Sequence, residues 1–222
     1  MMQITVQGEA TASFPPERAT VHLELGFEGP DKAAALQRAT QLANELGSHL
    51  ERLAQMTPSP TTWSAILPIG TRSWRPHSND GAVLPLRYAA SCRAKVKFSD
   101  FRALAQFIDQ WGGVDGVSVR QVEWTLTERA KRKEEEAVLA RAVEVARARA
   151  QTIATAAGSG QVRVIDIADP GLLGQGLVAQ ESHGSAAMMR SLYDGGAQGD
   201  GVDLRPEDVD LVARVHARFT TD

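Results

Sequence analysis

Hydrophobic and polar residues alternate with a period of two along several stretches of this chain. Val209, Leu211, Ala213, Val215, Ala217 and Phe219 fall on one side of the last stretch, with Asp208, Asp210, Arg214, His216 and Arg218 on the other. Ala19, Val21, Leu23, Leu25 and Phe27 repeat the pattern, as do Leu86, Tyr88, Ala90, Cys92, Ala94, Val96 and Phe98. Successive side chains of a strand point to opposite faces, so these stretches predict strands with one face on a core and one on water or polar contacts. Such strands belong to antiparallel or mixed sheets, because strands of parallel sheets are apolar on both faces.

The remaining pattern fills in the order of elements. Residues 3–12 predict a strand, Pro15-Pro16 a turn, and residues 18–28 the partner of a hairpin. Pro30 suits the first position of a helix, where its missing N–H is not needed. That helix carries the stripe Leu36, Ala39, Ala43, Leu46, Leu50 and Leu53 at steps of three and four, and Pro58 and Pro60 end it. A strand at 61–67 precedes an excursion over 68–83 that closes in a tight turn at Asn79-Asp80-Gly81. A long strand follows at 84–98. Ser99 is the expected N-cap of a helix bearing Phe101, Leu104, Ala105, Ile108 and Trp111, which Gly112-Gly113 stops. In 117–126 the phase flips between Val119 and Val122, so one extra residue near Arg120-Gln121 predicts a bulge. Thr127 caps the longest helix, about 128–157, with Leu139, Val143, Ala146, Ala150, Ile153 and Ala157 as its apolar stripe. Residues 162–168 and 207–220 complete the strands.

The order β-α-β-β-α-β over 18–126 predicts an α+β chain with a ferredoxin-like lobe. Residues 1–126, with the leading strand, form that lobe in this reading. Residues 127–222 form a second one from the long helix, two strands and the loop 169–206. That loop has eight glycines, and a connection so long within a compact domain generally carries function or moves.

Composition narrows the function classes. With 222 residues, 43% of them hydrophobic, the chain can bury a substantial core. A net charge of −3 argues against an electrostatically driven nucleic-acid binder, which is usually basic. The single cysteine excludes an internal disulfide framework and a cysteine-rich zinc site, and Cys92 is in phase with the apolar side of its strand. No run of about 18 apolar residues is present, so no membrane span is expected. The opening Met-Met-Gln carries no charged leader or apolar signal core, so the cytoplasm is the expected compartment.

Candidate chemistry is sparse. Gly174-x-Gly176-x-x-Ala179 formally fits a dinucleotide fingerprint but is separated from its strand, with Pro170 between. A flexible loop is the better reading, and no cofactor is expected. Gly199-Asp200-Gly201 with Asp194 and Asp203 lacks the spacing of a calcium loop, so no metal site is expected either. The five histidines form no metal-binding pair, although His22 and His216 would be neighbours if their strands paired. Arg129 and Lys131 to Lys133 are followed at once by Glu134 to Glu136, as on a solvated helix face. Arg87, Arg93, Lys95 and Lys97 share the polar face of one strand. The aromatic residues that an RNA-binding sheet uses for base stacking are missing beside them. Glu181, His183, Asp194 and Asp200 in the glycine-rich loop are the candidate ligand-binding residues, and no catalytic residue emerges.

Several local patterns, taken in order, resemble SIMPL-domain (DUF541) proteins. These are Ile4-x-Val6-x-Gly8-x-Ala10, then Pro15-Pro16-Glu17-Arg18-Ala19, then the helix with Arg141-Ala142, Ala146, Ala150 and Ala154 before Gly158. The strand Val164-x-x-Ile167, the loop and the alternating terminal strand complete the resemblance over nearly the whole chain. Its bacterial members are mostly envelope or periplasmic proteins linked to stress tolerance, some assembling into large ring-like or channel-like oligomers, with no accepted catalytic site. The resemblance therefore implies a non-enzymatic, oligomeric scaffold or interaction module, with stress-related function. The chain differs from the usual pattern at Ser159-Gly160-Gln161 and in its 169–206 loop. A small-ligand or metal-binding protein that uses this loop is the alternative expectation.

Overall fold

A computed structural model describes residues 2–77, 83–173 and 204–221. The elements are β1 (Gln3–Phe14), β2 (Arg18–Gly29), α1 (Lys32–Gln55), β3 (Thr61–Ile66), β4 (Gly70–Trp74), β5 (Arg87–Phe98), α2 (Phe101–Gly112), β6 (Val117–Thr125), α3 (Glu128–Ala156), β7 (Val162–Ala168) and β8 (Val209–Thr221). They form two compact units, one of residues 15–77, 83–125 and 204–207, the other of 2–14, 126–173 and 208–221.

The first unit is the ferredoxin-like one. Its strands run in the order β3-β5-β2-β6, every pairing antiparallel, with β4 added against β5. Helices α1 and α2 pack on this sheet. Ala19, Val21, Leu23 and Leu25 of β2, and Cys92, Ala94, Val96 and Phe98 of β5, turn toward them with Leu46, Leu50, Leu104, Phe107 and Trp111. The bulge expected near Arg120-Gln121 is present: His22 lies opposite Gln121 and Leu23 opposite Val119, which leaves Arg120 as the extra residue.

Three local expectations are corrected. Pro30 is not the first residue of α1: Asp31 is its N-cap, its carboxylate accepting from the Ala33 N–H at 2.8 Å, which leaves Pro30 outside the helix. Asp100 rather than Ser99 caps α2 by accepting from the Arg102 and Ala103 N–H groups. The expected excursion 68–83 contains β4, while the tight turn at Asn79-Asp80-Gly81 lies outside the described residues. β4 is exposed along nearly its whole length and shows no apolar alternation; its pairing with β5 is what makes it a strand.

The second unit is a three-stranded antiparallel sheet, β1-β8-β7, covered by α3. The expected hairpin of the first two strands does not form. β1 pairs over its whole length with β8, from Gln3 opposite Thr220 to Phe14 opposite Val209. The leading strand therefore belongs with α3, not with the 1–126 lobe. The physical reason lies in two matching apolar faces: Ile4, Val6 and Ala10 of β1 share one buried layer with Val215, Ala217 and Phe219 of β8.

Thr127 caps α3 as expected, its hydroxyl accepting from the Ala130 N–H. The buried stripe is Val138, Ala142, Ala146, Ala150 and Ala154, and Leu139 and Ile153 are exposed instead. Gly8 explains the shift, since a Cβ there would meet the Ala142 carbonyl and come within 2.7 Å of the Ala146 Cβ. The helix lies so close to β1 that only small side chains fit between them.

Candidate functional site

The 169–206 loop carries the ligand-binding candidates, and Glu181, His183, Asp194 and Asp200 lie outside the described residues. So do Gly174, Gly176 and Ala179 of the formal fingerprint, and Gly199, Gly201 and Asp203. Among the described residues no group of three or more His, Cys, Asp or Glu side chains is placed to hold a metal ion. No described helix is long and apolar enough to cross a membrane.

The structure does assemble a polar cluster on the first unit's sheet. The register sets His22 and Glu24 of β2 opposite Lys95 and Arg93 of β5, and His22 opposite Gln121 of β6. His22 Nε2 lies 3.4 Å from Glu123 Oε2. The Arg120 Nε–H donates to Glu24 Oε2 at 2.9 Å, and a second N–H of the same guanidinium reaches the same oxygen. The bulge at Arg120 gives this side chain its position, which the sequence signalled only as a break in phase. A cavity of about 190 Å³ lies among His22, Glu24, Arg93, Lys95, Arg120 and Gln121. The cluster is mixed in charge, and each described acid in it is already engaged by a cation or by histidine.

His216 belongs to the other sheet and is not a strand neighbour of His22; its Nδ1 accepts from the Gly171 N–H at 3.4 Å. Cys92 is buried, and that burial pushes its thiol pKa up, away from the thiolate needed for nucleophilic chemistry. The basic start of α3 is laced with acids, Lys131 with Glu135 at 3.9 Å and Lys133 with Glu134 at 3.2 Å.

A second polar group was silent in the sequence. The Trp111 indole N–H donates to His49 Nδ1 at 2.7 Å, and the two rings stack with centroids 5.8 Å apart. Burial, and then the charge of Arg52, hold the His49 pKa below its ordinary value. A bond accepted at Nδ1 requires that nitrogen to carry no proton, so the pair stores a neutral imidazole. Nothing in the spacing of residues 49 and 111 announces this contact, because it depends on how α1 and α2 pack.

The second unit has a different feature at one edge of its sheet. Among the described residues β7 is bonded to β8 alone, as β1 is at the other edge. Its aliphatic side chains Val164, Ile165 and Ile167 are 52%, 41% and 43% exposed. Ile165 is an extra residue in the ladder, since Val164 lies opposite Phe219 and Asp166 opposite Arg218. Asp166 accepts from Arg218 at 3.5 Å, and the Val162 N–H donates to the Gln151 side-chain oxygen at 3.0 Å.

The family model SIMPL, described as a protein of unknown function (DUF541), matches residues 4–219. The chain belongs to the SIMPL family. That match spans both units, from β1 to β8, so the SIMPL domain is the whole two-unit arrangement and not one sheet of it. A search of curated proteins finds no match to this SIMPL protein.

Proposed function

We infer that this SIMPL protein acts without catalysis, as a self-associating scaffold or interaction module. The observation that supports the reading is the edge of β7, which no other described strand pairs and which carries three exposed aliphatic side chains. Such an edge is a ready template for another strand. In the polar cluster around His22 both acids already have partners, Glu24 in Arg120 and Glu123 in His22. The stress-related role implied by the family resemblance is a further proposal, which survival of a deletion strain under oxidative or thermal challenge tests.

Light scattering coupled to size exclusion, over a hundredfold range of concentration, tests self-association. A stable species several times 23.9 kDa is the expected result. A monomer throughout the range would remove the reading.

A further inference from the structure

The cavity of about 190 Å³ on the first unit's sheet is lined by more positive charge than negative. We propose that it is a binding site for a small oxyanion of the phosphate type, held by Arg93 and Lys95 of β5. The site belongs to the first unit alone and does not depend on self-association through β7.

Antiparallel register brings its side chains together. Leu23 and Leu25 of β2, and Cys92 and Ala94 of β5, are buried in the core beneath the helices. Side chains alternate along a strand, so His22, Glu24, Arg93 and Lys95 stand on the opposite face. There Arg93 lies directly opposite Glu24, and Lys95 opposite His22. On the other side of β2, Gln121 lies opposite His22. In a regular strand Arg120, next to Gln121, would point toward the helices. As the extra residue of the bulge it reaches Glu24 on the open face instead.

Three cations, Arg93, Lys95 and Arg120, line the cavity against one carboxylate, that of Glu24. Arg120 matches that carboxylate, with two of its N–H groups converging on Glu24 Oε2. Glu123 is held by His22. Among the described residues Arg93 and Lys95 enter no ion pair or hydrogen bond. Two positive charges, two residues apart on one strand face, are thus left at one small enclosure, and an anion between them replaces repulsion by attraction. The arginine fork matches paired oxygens, and lysine adds a point charge, which favours an oxyanion over a halide. The Gln121 amide adds N–H donors at the rim. The volume is below the roughly 300–1,000 Å³ of pockets that take drug-sized molecules, so the fit is to a small ion.

Equilibrium dialysis of the full chain against radiolabelled inorganic phosphate, at physiological chloride, tests the site. The native chain is expected to bind one phosphate, which sulfate displaces. Arg93→Gln and Lys95→Gln are each expected to weaken binding by about tenfold or more, and Arg93→Lys, which keeps the charge, by less than Arg93→Gln. Arg87 is the control: it shares the strand and the face but does not line the cavity. Arg87→Gln removes the same charge and is expected to leave the affinity near that of the native chain. No binding by the native chain at millimolar phosphate overturns the proposal. So does a loss in R87Q equal to that in R93Q and K95Q, which would mean diffuse charge and no site. A monomer that binds phosphate in this pattern upholds the site while the scaffold reading falls.

Discussion

Gly8 lies where β1 passes under α3, and its missing side chain sets the distance between them. Gly8→Ala puts a methyl group against the Ala142 carbonyl and the Ala146 side chain. Relief requires the helix to lift from the sheet, at a cost of about 1–3 kcal/mol of unfolding free energy in this unit. A chemical denaturation curve followed by circular dichroism reads that loss, and a change under about 0.5 kcal/mol would show that the helix yields freely. His49 makes the second prediction at this scale. Its folded-state pKa is lowered, so below the ordinary value of 6.5 the unfolded chain takes up a proton before the folded one does. The stabilisation is complete above about pH 6.5 and is lost as pH falls from there through the lowered value. His49→Gln removes the titration while leaving an acceptor for the Trp111 N–H. Stability measured from about pH 7 to about pH 5 is expected to fall less in H49Q than in the native chain. Equal slopes would exclude His49 as a source of acid sensitivity.

At the scale of elements, helix ends are set by single side chains. The Asp100 carboxylate accepts from two N–H groups at the start of α2, at 2.8 and 3.3 Å. Asp100→Ala is expected to cost about 1 kcal/mol, whereas Ser99→Ala costs less, because Ser99 does not cap the helix. Parallel urea melts of the two variants decide the order, and a larger loss for S99A would contradict the assignment. The strands β2, β5 and β8 were legible in the sequence because each buries one face and wets the other, and so was the bulge at Arg120, as a break in that phase. The buried face of α3 was not. Large residues at 139, 143 and 153 outline a more hydrophobic stripe than the alanines do, but the space above Gly8 admits only the alanines. β4 was silent for the opposite reason: an exposed edge strand has no buried face to write into its pattern.

For the whole molecule, each unit closes its own core, and the four tryptophans, Trp63, Trp74, Trp111 and Trp124, all lie in the first. Tryptophan emission therefore reports the ferredoxin-like unit, whereas far-ultraviolet circular dichroism also reports α3. Gly8→Ala is expected to lower the dichroism midpoint while the emission midpoint stays near that of the native chain. Midpoints that move together by the same amount would show that the two cores unfold as one. The candidate ligand residues of the 169–206 loop play no part in these expectations. The edge of β7 is a property of the assembled sheet, visible only once β8 is known to occupy one side of it.

The sequence by itself determined the α+β class, the order of most elements, the family and the cap at Thr127, because these are written in residues close together along the chain. Tertiary structure decided the partner of β1, the face that α3 buries, the pairing of His49 with Trp111 and the place of β7 at the outside of the described sheet. Each of these depends on contact between segments far apart in the chain. An apolar face records that it will be covered, but not by what; here shape decided, with glycine at 8 admitting the alanine stripe of α3 and the first strand closing on the last.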